Sequence, residues 1–132
     1  MVITIPIKTR ERSEMIDITA TVQDELNRSG LKDGVCFVYV PHTTAGVTIN
    51  ESADPSVVFD IQKALDNLVP WEGVYRHREG NSAAHIKSSL IGNSVMVFVE
   101  SGRLNLGTWQ GIFFCEFDGP RSRKVFVQVR GQ

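Results

Sequence analysis

Several features that mark large protein classes are absent from these 132 residues. No apolar run approaches the roughly 18 residues that a membrane-spanning helix needs, and charge appears too early in the first residues for a secretory signal. The formal net charge is -1, with acidic and basic residues interspersed along the chain. This composition gives no electrostatic case for binding nucleic acid or a membrane surface. We therefore expect a cytoplasmic protein that binds its ligand locally.

Cysteine is scarce, and the two that are present are not spaced as a CxxC pair. Cys36 lies in the apolar run "GVCFVYV" and Cys115 in "GIFFCEF". Free cysteine inside such runs is usually a small buried hydrophobe, so we expect both thiols to be reduced, buried and inert. A structural disulfide or a catalytic thiol is the alternative.

The chain also lacks low-complexity segments, linker-like blocks and internal repeats. Its apolar fraction of 42% is ordinary for a protein with a real core. We therefore expect a single domain over residues 1–132.

Strands are predicted at both ends of the chain and in its centre. "VITIPIKT" alternates with period two, and Pro6 marks it as an edge strand. "GVCFVYVP" is apolar on both faces, which is typical of a central strand, and Pro41 ends it just before His42. Three further runs dense in Val, Phe and Ile predict strands in the C-terminal half: "SVMVFVE", "WQGIFFCEFD" and "RKVFVQV".

Two amphipathic helices are indicated between these strands. In "DITATVQDELNRSG" the apolar residues recur at helical spacing, Thr19 or Thr21 can cap the start, and Gly30 suits the C-terminal end. In "ADPSVVFDIQKALDNLVPW", Asp54 is the expected N-cap, Pro55 takes the first helical position, and an apolar stripe follows. "EGNSAAHIK" predicts a turn that runs into a third, short helix.

Together these elements predict an α+β fold. Because the C-terminal strands follow one another without long intervening helices, antiparallel pairing is favoured. We expect a two-layer, mostly antiparallel β-sandwich, jelly-roll-like, with two or three helices.

The three histidines are the first candidate site. His42 follows a strand end, whereas His77 and His85 flank the segment "HREGNSAAH". Imidazole is the commonest protein ligand of transition metals, and three histidines with an open position make a zinc site of catalytic type. Ordinary surface histidines are the alternative, and the spacing alone favours it.

Acidic residues near these histidines strengthen the metal hypothesis. Glu51, Glu79 and Asp118 are candidates to orient an imidazole or to transfer a proton. They are equally compatible with solvated loops.

A second candidate site is an anion pocket near the end of the chain. Arg121, Arg123 and Lys124 follow a "DGP" turn, and Ser82 with neighbouring backbone N–H groups starts the short helix before His85. A solvated basic turn is the alternative. In "TWQG", Trp109 is expected in the core.

Three blocks carry a resemblance to a known family, in order and over nearly the whole chain: "HTTAGVTINE", "EGNSAAHIKSSLIG" and "GRLNLGTWQGIFFCEFDGPRSRK". They resemble the YjbQ-like family of small proteins, members of which have been described as secondary thiamine-phosphate synthases. The resemblance implies a two-sheet sandwich with a few helices, assembled as a homotrimer. It also implies a polar site that contains His42, His77 and His85, with these neighbours: Asn50, Glu51, Asp118 and Arg121.

The implied reaction joins a pyrimidine diphosphate to a thiazole phosphate. Such chemistry needs basic groups for the phosphates and a divalent cation. The sequence has no DDxxD-like pair for magnesium, and three histidines suit zinc, manganese or nickel better. Zinc is the expected cofactor, with His42, His77 and His85 as its ligands.

The first functional hypothesis is a metal-dependent enzyme for a small phosphorylated substrate. Its catalytic groups are predicted to be His85, Glu51 and Asp118, and its substrate-binding groups Asn50, Arg121, Arg123 and Ser82. The alternatives are a module that binds a metal or phosphorylated metabolite without turnover, and a structural or interaction protein.

Overall fold

The computed structural model describes residues 1–132 as eight strands and three helices. In chain order these are β1 (Ile3–Lys8), β2 (Glu14–Asp17), α1 (Thr19–Ser29), β3 (Gly34–Tyr39), β4 (Ala45–Glu51), α2 (Pro55–Leu68), α3 (Ser82–Ile91), β5 (Ser94–Glu100), β6 (Arg103–Leu104), β7 (Gln110–Glu116) and β8 (Ser122–Gly131).

The strands form two sheets in which every pairing is antiparallel. One sheet has the order β1-β8-β3-β5-β6, and the other has the order β2-β7-β4. The predicted α+β sandwich of two sheets with helices is therefore confirmed. No helix is both long enough and apolar enough to cross a membrane.

The main core lies between the sheets and under α1. Period-two alternation sends every second side chain of each strand inward. On β3 these are Cys36 and Val38, which face Ile112 and Phe114 of β7 across the core. Val22 and Leu26 of α1 are fully buried in the same cluster.

The predicted positions of β1 and β3 are confirmed. β1 is an edge strand, as Pro6 indicated, and pairs only with β8. β3 is the central strand of the larger sheet. Its two apolar faces differ, however: Phe37 and Tyr39 remain 43% and 45% exposed. The outer sheet face is therefore open to solvent although its residues are apolar.

α1 ends as expected and begins differently. Gly30 has φ 73° at the C-terminal end, where the left-handed conformation suits glycine. Neither threonine caps the start: the capping position is Ile18, and the Asp17 carboxylate instead accepts from the backbone N–H of Thr19 at 2.9 Å. The Asp17 carboxylate therefore takes the capping role that was expected of a threonine hydroxyl.

α2 begins as the sequence predicts. Asp54 accepts from the backbone N–H of Ser56 at 2.9 Å, and Pro55 occupies the first turn. Its apolar stripe, however, contributes no fully buried residue, and Phe59 and Leu68 are 64% and 75% exposed. α2 therefore covers the smaller sheet only partly.

Two predictions about single side chains have opposite outcomes. Cys36 and Cys115 are free and buried, as expected, and burial raises their thiol pKa values to about 11 and about 12. Trp109 was expected in the core but is 63% exposed, because it lies in the turn before β7 rather than within the strand.

Candidate functional site

Helix α3 forms the wall of a polar cavity. Residues three and four apart are neighbours on a helix surface, so three residues of α3 share the face that borders this cavity: His85, Ser88 and Ser89. Gly92, which follows the last residue of α3, continues the same face. With His42, Thr43 and Asn93 they enclose about 510 Å³, and no hydrophobic residue lines this space.

Two serine hydroxyls of α3 make hydrogen bonds that fix the wall of this polar cavity. The Ser88 hydroxyl donates to the carbonyl oxygen of Ala45 at 2.7 Å, which ties α3 to the start of β4. The Ser89 hydroxyl donates to the carbonyl oxygen of His85 at 3.1 Å. The sequence interpretation missed Ser88, Ser89, Thr43 and Asn93, although the spacing of polar residues after His85 was a usable signal.

His42 reaches the polar cavity from the end of β3, and its hydrogen bonding fixes its tautomer. Its Nε2 accepts from the backbone N–H of Lys124 at 3.0 Å. The neutral ring therefore carries its proton on Nδ1. Burial lowers the pKa of His42, and the nearby Arg123 guanidinium lowers it further, so the neutral form is favoured.

His77 and His85 lie against each other. Their rings meet edge to face with centroids 5.3 Å apart, and both line a second space of about 280 Å³ together with Tyr75 and Ser82. His85 thus borders both spaces. Nε2 of His77 also lies 3.8 Å from the Glu79 carboxylate.

The ring separation bears on the predicted metal site. Two imidazoles bound to one tetrahedral zinc ion, with Zn–N of about 2.0–2.1 Å, have centroids about 5 Å apart. The 5.3 Å between His77 and His85 fits two ligands of one ion. Nε2 of His42 is already occupied by Lys124, and no three His, Cys, Asp or Glu side chains of the chain are grouped to hold a metal. The three-histidine zinc site remains a prediction.

Asp118 and Arg121 meet at the start of α3. Arg121 donates through Nη2 to the Asp118 carboxylate at 2.8 Å and through Nε to the Asp118 carbonyl at 2.7 Å. The Asn81 side-chain N–H, at the cap position of α3, donates to the same carboxylate at 2.9 Å, and its own Oδ1 is buried without a partner. Ser82, the next residue, is buried. Three predicted site residues, Asp118, Arg121 and Ser82, therefore lie together at the start of α3.

Arg123 has a different environment from Arg121. It is buried and donates to both oxygens of Glu116, a fully buried carboxylate, and to the Thr44 hydroxyl at 2.8 Å. The Thr9 hydroxyl donates to the same carboxylate at 2.7 Å. The pair joins β7 of one sheet to β8 of the other beneath His42.

The hydrogen bonds keep Glu116 ionised. Burial by itself would raise its pKa, but the bonds from Arg123, the Asp118 backbone and Thr9 outweigh burial and hold the pKa below its usual value. The sequence interpretation missed this carboxylate, although a charged residue inside the apolar run "GIFFCEF" signalled the need for a buried partner.

Asn50 and Glu51 lie at the opposite end of β4. Ala45, where β4 meets α3, pairs with Glu116, whereas Glu51 pairs with Gln110 at the other end of β7. Ala45 and Glu51 are six positions apart along the strand, about 20 Å at 3.3 Å per residue. Within one chain these two predicted residues therefore do not approach the histidines, and they lie instead beside the exposed Trp109, whose carbonyl accepts from Ser52 at 2.9 Å.

Comparison with known proteins gives consistent results. The family model described as "UPF0047 protein YjbQ-like" matches residues 3–132. UPF0047 protein YugU of Bacillus subtilis is 54% identical over 132 residues, covering 99% of this chain and 100% of YugU. The UPF0047 protein of Archaeoglobus fulgidus is 46% identical over 127 residues, covering 95% of this chain and 98% of that protein.

Solved structures agree with the fold. A crystal structure of an uncharacterized conserved YjbQ/UPF0047 protein from Clostridium acetobutylicum has a TM-score of 0.95 and 54% identity, and covers 97% of this chain and 99% of that one. A hypothetical protein from Aeropyrum pernix has a TM-score of 0.95 and 39% identity, and covers 100% of this chain and 99% of that one.

Proposed function

Because the chain belongs to the YjbQ-like UPF0047 family, we propose that it is an enzyme acting on a small phosphorylated molecule held in the polar cavity between His42 and His85. One observation carries the proposal: about 510 Å³ of space is lined by polar groups and glycine without a single hydrophobic side chain. An apolar ligand would find no apolar side chain to pack against there. A phosphate group, which accepts several hydrogen bonds, would be stabilised.

The donors around the polar cavity suit phosphate oxygens. The fixed tautomer of His42 leaves its Nδ1–H to donate, and the Thr43 hydroxyl and Asn93 amide supply further N–H and O–H groups. Arg121, half exposed and oriented by Asp118, adds a guanidinium near the start of α3. In this proposal Asp118 positions Arg121, and Arg123 supports the site from beneath.

His85 is the proposed proton-transfer group. It is the one side chain that lines both the polar cavity and the space beside His77. A neutral imidazole at such a position can accept a proton on one nitrogen and donate from the other. In this proposal the two histidines have different roles, with His42 as a hydrogen-bond donor and His85 as acid or base.

A bound metal is a second component of the proposal; since an ion held by His77 and His85 would occupy one nitrogen of His85, a water on the ion would then transfer the proton in place of that ring. The 5.3 Å between the rings of His77 and His85 is the supporting observation, since it suits two ligands of one zinc ion. The ion would polarise a phosphate oxygen or a bound water. Metal analysis of the purified protein tests this component. Stoichiometric zinc that is lost in His77→Ala supports it, and metal-free protein with full activity refutes it.

The reaction we propose for this site joins a pyrimidine methyl diphosphate to a thiazole phosphate: the thiazole ring nitrogen bonds to the methylene carbon, and the carbon–oxygen bond to the diphosphate breaks with release of pyrophosphate. Two phosphorylated substrates require more than the polar cavity of one chain, which offers no flat apolar wall for a pyrimidine. The exposed Trp109, with Asn50 and Glu51 beside it, offers such a wall and a carboxylate at the other end of β4.

We further propose a homotrimer that brings these two regions together. The outer face of the larger sheet is apolar and solvent-exposed, with Phe37, Tyr39, Met96 and Phe98 between 43% and 59% exposed. Exposed apolar faces of this kind are usual at subunit interfaces. In the trimer, Glu51 of one subunit would complete the polar cavity of the next.

Turnover assays with both phosphorylated thiamine precursors test the proposed function. We expect saturable product formation that is abolished in His85→Ala and retained in Lys63→Ala, a control at an exposed position of α2. Binding of substrate without product would instead identify a non-catalytic binding module. If the protein neither binds the precursors nor forms product, the proposal is refuted.

Subunit mixing tests the shared site. Trimers mixed from His85→Ala and Glu51→Gln chains should recover activity that each variant lacks alone, because some cavities then contain both native residues. No recovery after confirmed subunit exchange would place each site within one chain. Arg121 lies beside α3 of its own chain, so the proposal takes Glu51, at the far end of β4, as the residue that the neighbouring subunit supplies.

A further inference from the structure

A third space lies on the other side of α3, away from the histidines. His85 and Lys87 are two positions apart, which turns their side chains about 200° from each other around the helix. Lys87 lines a space of about 300 Å³ together with Arg12, Ser13, Asp66 and Trp71. This Lys87 cavity is enclosed by α3, α2 and the loop between β1 and β2.

Lys87 is an unusual residue for such a position. Its side chain is only 3% exposed, and buried lysines are rare unless they are paired. Its ammonium donates to Asp66 Oδ1 at 2.5 Å. That bond satisfies one of its three N–H donors, so two remain for another acceptor. Asp66 is 61% exposed and is solvated on its other side.

Arg12 supplies a second cation at the mouth of the Lys87 cavity. Its guanidinium carbon lies 4.2 Å above the centroid of the Trp71 ring, so the aromatic face holds the group in place. The Arg12 side chain donates no hydrogen bond within the chain, so its N–H groups are free to donate to a ligand. Trp71 is itself packed against the smaller core cluster with Phe113 and Phe117, which makes the platform rigid.

The charges and donors identify the class of ligand. Arg12 and Lys87 outweigh Asp66 by one positive charge, and the Ser13 hydroxyl adds a donor. An arginine fork together with an ammonium suits phosphate, which offers more acceptor oxygens than a carboxylate and carries more negative charge at neutral pH. We propose that the Lys87 cavity binds a phosphate group, separately from the polar cavity at His85.

Titration with inorganic phosphate at constant ionic strength tests this site. The chain has two tryptophans, so NMR gives two indole N–H signals, which Trp109→Phe assigns. We expect the Trp71 signal to shift saturably with phosphate. Arg12→Gln and Lys87→Met should each weaken binding about 10- to 100-fold, because each removes a charge-assisted hydrogen bond.

Two controls separate specific binding from general charge. Arg10→Gln removes the same charge from the same loop without touching the Lys87 cavity, and should bind phosphate as the native protein does. Acetate should bind far more weakly than phosphate. Arg12→Gln leaves the Lys87–Asp66 pair intact, so the test stands even if Lys87→Met fails to fold.

The outcomes also distinguish the two cavities. A shift that Arg12→Gln removes and His85→Ala leaves unchanged supports the Lys87 cavity, whatever the turnover assay shows. A shift that only His85→Ala removes overturns this proposal and locates the phosphate in the polar cavity. The absence of a saturable Trp71 shift, equal effects of Arg10→Gln and Arg12→Gln, or acetate binding as tight as phosphate would each overturn it.

Discussion

Replacement of Arg123 by methionine tests whether the buried ion pair beneath His42 stabilises the fold. Arg123 and Glu116 have side chains 5% and 0% exposed, and they join the two sheets. Breaking a buried pair by removing one partner typically costs about 3–5 kcal/mol, because the remaining charge stays buried without compensation.

The structure places the expected cost near the lower end of that range. After Arg123→Met, Glu116 still accepts from the Thr9 hydroxyl at 2.7 Å and from the backbone N–H groups of Phe117 and Asp118 at 3.0 and 2.9 Å. We therefore expect a loss of about 3 kcal/mol in the free energy of unfolding. For a chain of this size that corresponds to a fall of roughly 10 °C in Tm.

Chemical and thermal unfolding at neutral pH provide the measurement, with Arg28→Met as the control. Arg28 pairs with Glu25 at 2.6 Å, but its side chain is 73% exposed, so its removal should cost less than about 1 kcal/mol. Equal losses in the two variants would refute the reasoning, because burial would then make no difference to the ion pair.

The same carboxylate predicts a dependence on acid. Because the folded-state pKa of Glu116 lies below its unfolded value, its contribution to stability is present above the unfolded pKa and is lost as pH falls through the folded pKa. In Glu116→Gln the free energy of unfolding should therefore fall less steeply as the pH is lowered below about 4.5. An unchanged acid-unfolding profile in that variant would contradict the assignment.

Further predictions concern thiols, His42, glycine and assembly. Cys36 and Cys115, with pKa values raised to about 11 and about 12, should react with a thiol reagent only after unfolding, and rapid labelling of the folded protein would contradict their burial. An NMR titration should give His42 a pKa below its ordinary value of 6.5. Because the folded protein then binds this proton less readily than the unfolded chain, the free energy of unfolding should fall as the pH is lowered through the unfolded-state pKa. A raised pKa would contradict the neutral ring assigned to His42. Gly34→Ala should lower the free energy of unfolding by more than about 3 kcal/mol, because the added Cβ would lie 2.0 Å from the backbone oxygen of Arg130. Gly30→Ala should lower it by only about 1 kcal/mol, because there the Cβ meets open space and only the positive φ is unfavourable. Light scattering should give a mass near three times 14.7 kDa, and a mass of one chain would exclude the trimer.

The sequence predicts best those elements whose pattern is local. The runs around Cys36 and Cys115 have strand composition along their whole length, and Asp54 followed by Pro55 sets the start of α2 within a few residues. β2 (Glu14–Asp17) has only four residues, of which Met15 and Ile16 alone are apolar, so nothing local distinguishes it from a loop. It is a strand because β7 pairs with it.

The candidate site was only partly predictable for a related reason. The residue types at His42, His77 and His85 indicate a site, and helical spacing brings His85 to its wall. The bond from Lys124 that fixes the tautomer of His42 crosses 82 positions of the chain, so it follows from tertiary packing and not from any window of sequence. Arg123 lies only seven positions after Glu116, across the turn between β7 and β8, so this pair was within reach of a local interpretation of the sequence.

The pairing of β1 with β8 determines when the fold can be completed during synthesis. Ile3 lies opposite Val127, so the first strand made must wait for nearly the whole chain before its partner exists. Closing so long a loop is costly in entropy and slows folding. Until then β1 is an unpaired apolar segment on the ribosome, where Pro6 removes one backbone donor and so weakens pairing with strands of neighbouring nascent chains. Pro6, which marks β1 as an edge strand in the folded protein, thus also limits unwanted strand pairing before β8 has been synthesised.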